Sequence, residues 1–126
     1  MKSDNLIEDK SFDFAVRIVN LYKHLQDEHR ENVMSKQVLR CGTSIGANIK
    51  EAMHAQSRKD FISKMNIALK ESYETEYWLR LLNRTKYITD SEFSSIFAEN
   101  QSVTNILAKI VITSKIHKRN RNVIGE

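Results

Sequence analysis

The stretch RCGTSIGANIKEA, Arg40–Ala52, holds two of the chain's three glycines, its only cysteine, and a Thr, a Ser and an Asn. That composition suits either a phosphate-cradling loop or a helix whose small residues admit a close neighbour. A nucleotide loop needs Gly-x-x-x-x-Gly-Lys-Ser/Thr, or Gly-x-Gly-x-x-Gly after a strand. Gly42 and Gly46 are four apart, no lysine follows directly, and no strand pattern precedes them. The loop reading therefore fails. Spacing of four puts both glycines on one side of a helix, and Val38, Cys41, Ile45, Ile49, Ala52 and Met53 carry steps of three and four straight through the stretch. Each glycine costs about 1 kcal/mol relative to Ala inside a helix. Close approach of another helix is the expected compensation.

Outward from this segment the chain keeps the same character. It has no Pro and only three Gly in 126 residues, which leaves no punctuation for a β architecture. The fold class is all-α. Phe14, Ile18, Leu21, Tyr22 and Leu25 mark a first helix over about residues 10–29, closed by the polar run DEHREN. The second spans about 36–56. Ser57 and Asp60 form an approximate capping box that starts a third over 58–83, with Phe61, Met65, Ala68, Leu69, Ser72, Leu79 and Leu82 on its core face. Thr89 and Glu92 mark the start of a fourth over 90–117, which carries Phe93, Ile96, Val103, Leu107, Ile110 and Val111. Four helices with short connections predict a single domain over 1–126, an antiparallel up-down-up-down bundle.

The composition limits the surroundings and the partners. No apolar run approaches the roughly 18 residues of a membrane span, and MKSDNLIEDK lacks the apolar core of a leader. A lone cysteine forms no internal disulfide and is commonest in a reducing interior, so the expected location is the cytoplasm. The formal net charge is +4. Lys115, Lys118, Arg119 and Arg121 supply four of the twenty basic residues, and without them sixteen basic face sixteen acidic. The excess belongs to the C-terminal end. There it either complements a helix dipole or meets a polyanion such as RNA or DNA.

Several constellations bear on chemistry. Ser44, Asn48 and Glu51 fall within about 60° of one another on a helix and make a polar seam beside the apolar stripe. The seam reads as a buried network that fixes helix register, with a ligand site as the competing reading. Glu51 and His54 form one Glu-x-x-His pair, whereas a di-iron bundle needs two, plus further glutamates. His24 and His29, five apart, have no second ligand at suitable spacing. Cys41 has Arg40 beside it but no poised base. Glu71 and Glu76 lack a second catalytic group, and Glu76 reads as a core-edge acceptor. No catalytic residue, metal site or cofactor is expected. The third helix has a second apolar stripe, Ile67, Trp78 and Leu81, about 120° from its core face. A free monomer needs only one such face, so this stripe predicts a homo-oligomer contact.

The segments SIGANIKEA and SRKDFISKMNIALKESYETEYWLRLL resemble the four-helix-bundle family named after proteins encoded in intervening sequences of bacterial 23S ribosomal RNA genes. The family's Ser-x-x-x-Asn-x-x-Glu element falls on Ser44, Asn48 and Glu51, and its Asp-Phe element on Asp60 and Phe61. Its Ala-Leu-Lys-Glu and Tyr-Trp-Leu elements fall on Ala68–Glu71 and Tyr77–Leu79. The resemblance implies an antiparallel bundle that assembles into a ring, commonly a pentamer, with no known catalytic activity. It also implies kinship with an accessory protein of a reverse transcriptase. Two functions follow as expectations. One is a ring that presents repeated basic ends to RNA or DNA. The other is a scaffold that docks a partner such as a nucleic-acid enzyme without touching nucleic acid itself.

Overall fold

In the computed structural model, residues 2–123 are described, with side chains over residues 6–116. The four helices are α1 (Lys2–His29), α2 (Met34–Met53), α3 (Arg58–Arg84) and α4 (Asp90–Val123). No strand occurs among the described residues. Each helix packs on its sequence neighbour, and α4 returns to close the bundle against α1. The pairs that meet show antiparallel order. Gly42 abuts Ile18 and Gly46 abuts Ser11, while Lys50 reaches Glu8, so one index falls as the other rises. In the same way Arg40 meets Glu74 and Glu51 meets Lys64 between α2 and α3.

The expected α1 begins too late. Helix runs back to Lys2, because the apolar stripe does not start at Phe14: Ile7, one heptad earlier, is fully buried. The acidic residues around it read as a polar lead, yet Asp and Glu suit the opening turns of a helix. Similarly, α4 continues to Val123, whereas α2 stops at Met53, three residues short of its expected end. Both predicted capping boxes form in whole or part. Ser57 Oγ accepts from the Asp60 amide at 3.0 Å. The Glu92 amide donates to Thr89 Oγ1 at 3.1 Å, and Glu92 Oε1 accepts from the Thr89 amide at 2.8 Å.

The start of α2 uses a cap that carries no sequence signature. Glu31 turns its carboxylate onto the amides of Val33, Met34 and Ser35, at 3.1, 3.0 and 2.7 Å. Gln26 then donates to the Glu31 carbonyl and to Ser35 Oγ, both at 2.9 Å. Burial alone would raise the Glu31 pKa, but the amide hydrogen bonds outweigh it and the carboxyl titrates below its ordinary value.

α2 runs unbroken through both glycines. A Cβ on Gly42 would stand 2.8 Å from both Cγ1 and Cγ2 of Ile18, a fully buried residue, so the missing side chain is what lets α1 lie so close. Gly46 is looser, since its Cβ would meet Ser11 Oγ at 3.4 Å. On the opposite side of the bundle, Asn100 is fully buried on α4. Its Nδ2 donates to the Ser72 carbonyl of α3 at 3.1 Å, while its Oδ1 has no partner among the described residues.

Three outcomes are expected. Gly42→Ala will lower stability by about 1–2 kcal/mol, because overpacking against Ile18 exceeds the helix-propensity gain. Gly46→Ala will be neutral or stabilising by up to about 1 kcal/mol, and denaturant midpoints compare the two. Glu31→Gln will cost about 1 kcal/mol at neutral pH, as cap losses do. A depressed folded pKa supplies stability that is present above the ordinary Glu value of about 4.3 and lost as pH falls through the folded value. The difference between variant and wild type should therefore close on acidification.

Candidate nucleic-acid interface

The polar seam lies on the side of α2 that faces α3. Asn48 Nδ2 donates to the Ser44 carbonyl at 2.8 Å and to Ser44 Oγ at 3.2 Å. Both residues are half-buried, and both bonds stay within one helix turn. Glu51 is exposed and instead pairs with Lys64 of α3 at 3.3 Å. The expected buried three-residue network is therefore replaced by a local amide–hydroxyl pair and a separate surface ion pair. The cause is geometric: the seam borders the core at its solvent edge, with Ser44 and Asn48 half-buried and Glu51 exposed.

Beyond the seam, α2 and α3 are joined by Arg40, a role the sequence does not announce. Its guanidinium contacts Glu71 Oε2 at 3.3 Å and hydrogen-bonds to Glu74 Oε2. The same Glu74 oxygen accepts from Trp78 Nε1 at 3.0 Å. Arg40 first, and Trp78 with it, hold the Glu74 carboxyl below the usual carboxylate range. The three residues of the expected outward stripe differ in depth. Trp78 is half-buried, leans on the core and has its indole N–H satisfied within the protomer; Leu81 is also half-buried, and Ile67 remains 38% exposed.

The reactive candidates are inert or apart. Cys41 is buried, and burial, opposed by a hydrogen bond with Thr75, pushes its thiol up to about 11, so it is protonated at neutral pH. His24 and His29 meet edge to face with centroids 5.6 Å apart, and His29 meets Tyr87 at 5.3 Å. No group of His, Cys, Asp and Glu suited to a metal ion occurs among the described residues. Nor is any described helix long and apolar enough to cross a membrane.

Of the four C-terminal cations, Lys115 is exposed on α4, while the side chains of Lys118, Arg119 and Arg121 lie outside the described residues. The antiparallel course brings the start of α3, with exposed Arg58 and Lys59, to the same end of the bundle. Among the described residues Arg17, Arg40, Lys50 and Lys64 are consumed by ion pairs. Arg58, Lys59 and Lys115 are not.

These features define an antiparallel four-helix bundle. The chain belongs to the 23S rRNA-intervening sequence protein family, whose profile matches residues 3–109. It is also similar to a protein of unknown function from the S23 ribosomal protein family of Bacteroides thetaiotaomicron, known from its crystal structure. Identity is 60%, the match covers 86% of this chain and 97% of that one, and the TM-score is 0.85. No curated protein matches the chain.

The seam makes a modest stability prediction. Asn48→Ala should cost under about 1 kcal/mol, because the lost bonds are local and partly wetted and Ala is the better helix former. Thermal or denaturant unfolding reads this directly, and a larger loss would restore the buried-network view.

Proposed function

We propose that the protein is a non-catalytic, homo-oligomeric bundle that binds RNA or DNA through basic residues gathered at one end. The observation that carries this reading is the group Arg58, Lys59 and Lys115, exposed at a shared end and without carboxylate partners among the described residues. Lys118, Arg119 and Arg121 follow Lys115 in the chain and are included in the proposal from the sequence. Self-association multiplies a weak contact, since linked copies engage one polyanion together. A ring, pentameric as the resemblance implies, is the assembly favoured, with Ile67, Trp78 and Leu81 in the contact between copies.

A protein scaffold is the second reading, and one observation favours it. Phe12 is 68% exposed over an open groove between α1 and α2 that is floored by Ser11, Ala15, Gly46 and Ala47. Such a groove suits an apolar side chain of a partner, for example a nucleic-acid enzyme.

Titration of nuclease-treated protein with labelled RNA distinguishes them. Affinity should fall steeply between about 50 and 200 mM salt, and replacing Lys115, Lys118, Arg119 and Arg121 with Gln should remove most of it at unchanged mass. Ile67→Glu, which buries an unpaired charge at the proposed contact, should reduce the assembly to monomers in light scattering. Absence of affinity at low salt gives the function to the scaffold.

A further inference from the structure

The solvent side of α3 carries a pattern that basic ends do not account for. Lys70, Tyr73, Tyr77, Arg80 and Arg84 follow one another at steps of three and four, so all five share one stripe. All are exposed, with Tyr73 at 53% and Tyr77 at 59%. The stripe points away from Ser72, Thr75 and Leu79, which are buried. None of its three cations is ion-paired among the described residues. Of the nearby carboxylates, Glu74 is taken up by Arg40 and Trp78, and Glu76 is half-buried on the core side.

Tyr77 is held from behind. Its ring meets Trp78 edge to face, with centroids 5.1 Å apart and planes at 81°. Trp78 is itself fixed by its hydrogen bond to Glu74, and Glu74 by Arg40. An aromatic ring oriented before its ligand arrives has less entropy to lose on binding.

We propose that this face of α3 is a platform for single-stranded nucleic acid, with Tyr73 and Tyr77 stacking on bases and Lys70, Arg80 and Arg84 meeting the flanking phosphates. It rests on the nucleic-acid reading above and adds the strand form and the site. Alternating rings and unpaired cations are the two components such binding needs, since any base offers a π-face and every nucleotide a charge. Spacing selects the strand form. Four residues of helix rise about 6 Å, well beyond the roughly 3.4 Å between stacked nucleotides of one strand. The two rings therefore suit bases already separated from each other, which a duplex does not present. A second copy of the chain is the weaker occupant. Seated against another copy, Lys70, Arg80 and Arg84 would lose water with no carboxylate of their own chain paired to them among the described residues, and burying an unpaired charge is costly.

The test compares a labelled single-stranded oligouridylate with an RNA duplex of equal length, by fluorescence anisotropy on the full chain. The double variant Tyr73→Ala/Tyr77→Ala should weaken single-strand binding at least about 25-fold, taking the lower bound of about fivefold per stacked base. Its duplex affinity and helical circular dichroism should stay unchanged, and Tyr73→Phe/Tyr77→Phe should retain single-strand affinity. Replacing Lys70, Arg80 and Arg84 with Gln should reduce the salt slope by about 2, at about 0.7 per phosphate. If the tyrosine variant binds like wild type while the C-terminal variant loses binding, the platform is overturned and the basic-end reading stands. If wild type binds neither RNA at low salt, both fall. If Tyr73→Ala/Tyr77→Ala changes the assembly mass, the face is a contact between copies and the platform is overturned.

Discussion

The contact between Gly42 and Ile18 sets the separation of α1 and α2, and the remaining geometry follows from it. A helix that presents hydrogen where its neighbours present methyl groups draws the facing helix in until the branched side chain of Ile18 rests on its backbone. Dispersion contacts repay the glycine's helix penalty only at that distance. With α1 so close, Ser11 comes onto Gly46 and Lys50 comes within reach of Glu8. The stretch that looks most like a loop is thus the surface on which α1 and α2 approach closely.

Much of this was readable in the sequence, for identifiable reasons. Helix class and number came from uninterrupted steps of three and four, and the starts of α3 and α4 from capping boxes whose hydrogen bonds are local. The family was legible because its motifs lie on α2 and α3, where seam and core positions are densest. What escaped reading depended on long-range or unsignalled geometry. α1 and α3 are followed by left-handed residues, Arg30 at φ 51° and Lys86 at φ 69°, where glycine would have advertised a stop. Glu31 caps α2 from outside any standard motif. The seam was legible as three residues on one face but not as two half-buried partners and a surface ion pair, because periodicity gives direction and not depth. The α3 tyrosines were visible as spacing, but their exposure and the lack of carboxylates beside Lys70, Arg80 and Arg84 required coordinates.

Arg40 illustrates how surface charge acquires structural meaning. Its pairing with Glu71 and Glu74 is half solvent-exposed, a setting in which ion pairs contribute at most about 1 kcal/mol. Energy is the lesser part of its effect. By engaging the oxygen that also accepts from Trp78, it fixes the indole, and the indole fixes Tyr77. Orientation passes from α2 across the groove to the outer face of α3 through three side chains, and the glycine-rich helix thereby shapes a surface that it does not itself form.

Asn100 has a mechanical consequence. Its amide is tied to the Ser72 carbonyl about a third of the way along α4, beside the buried aliphatic side chains of Ile96, Val103 and Leu107. Displacing α4 by one turn, about 5.4 Å, would bring that amide against hydrocarbon and strand a second buried polar atom beside the one already unpartnered. The bond thus acts as a pin through a long rod, and longitudinal slip of α4 along α3 is blocked at that point.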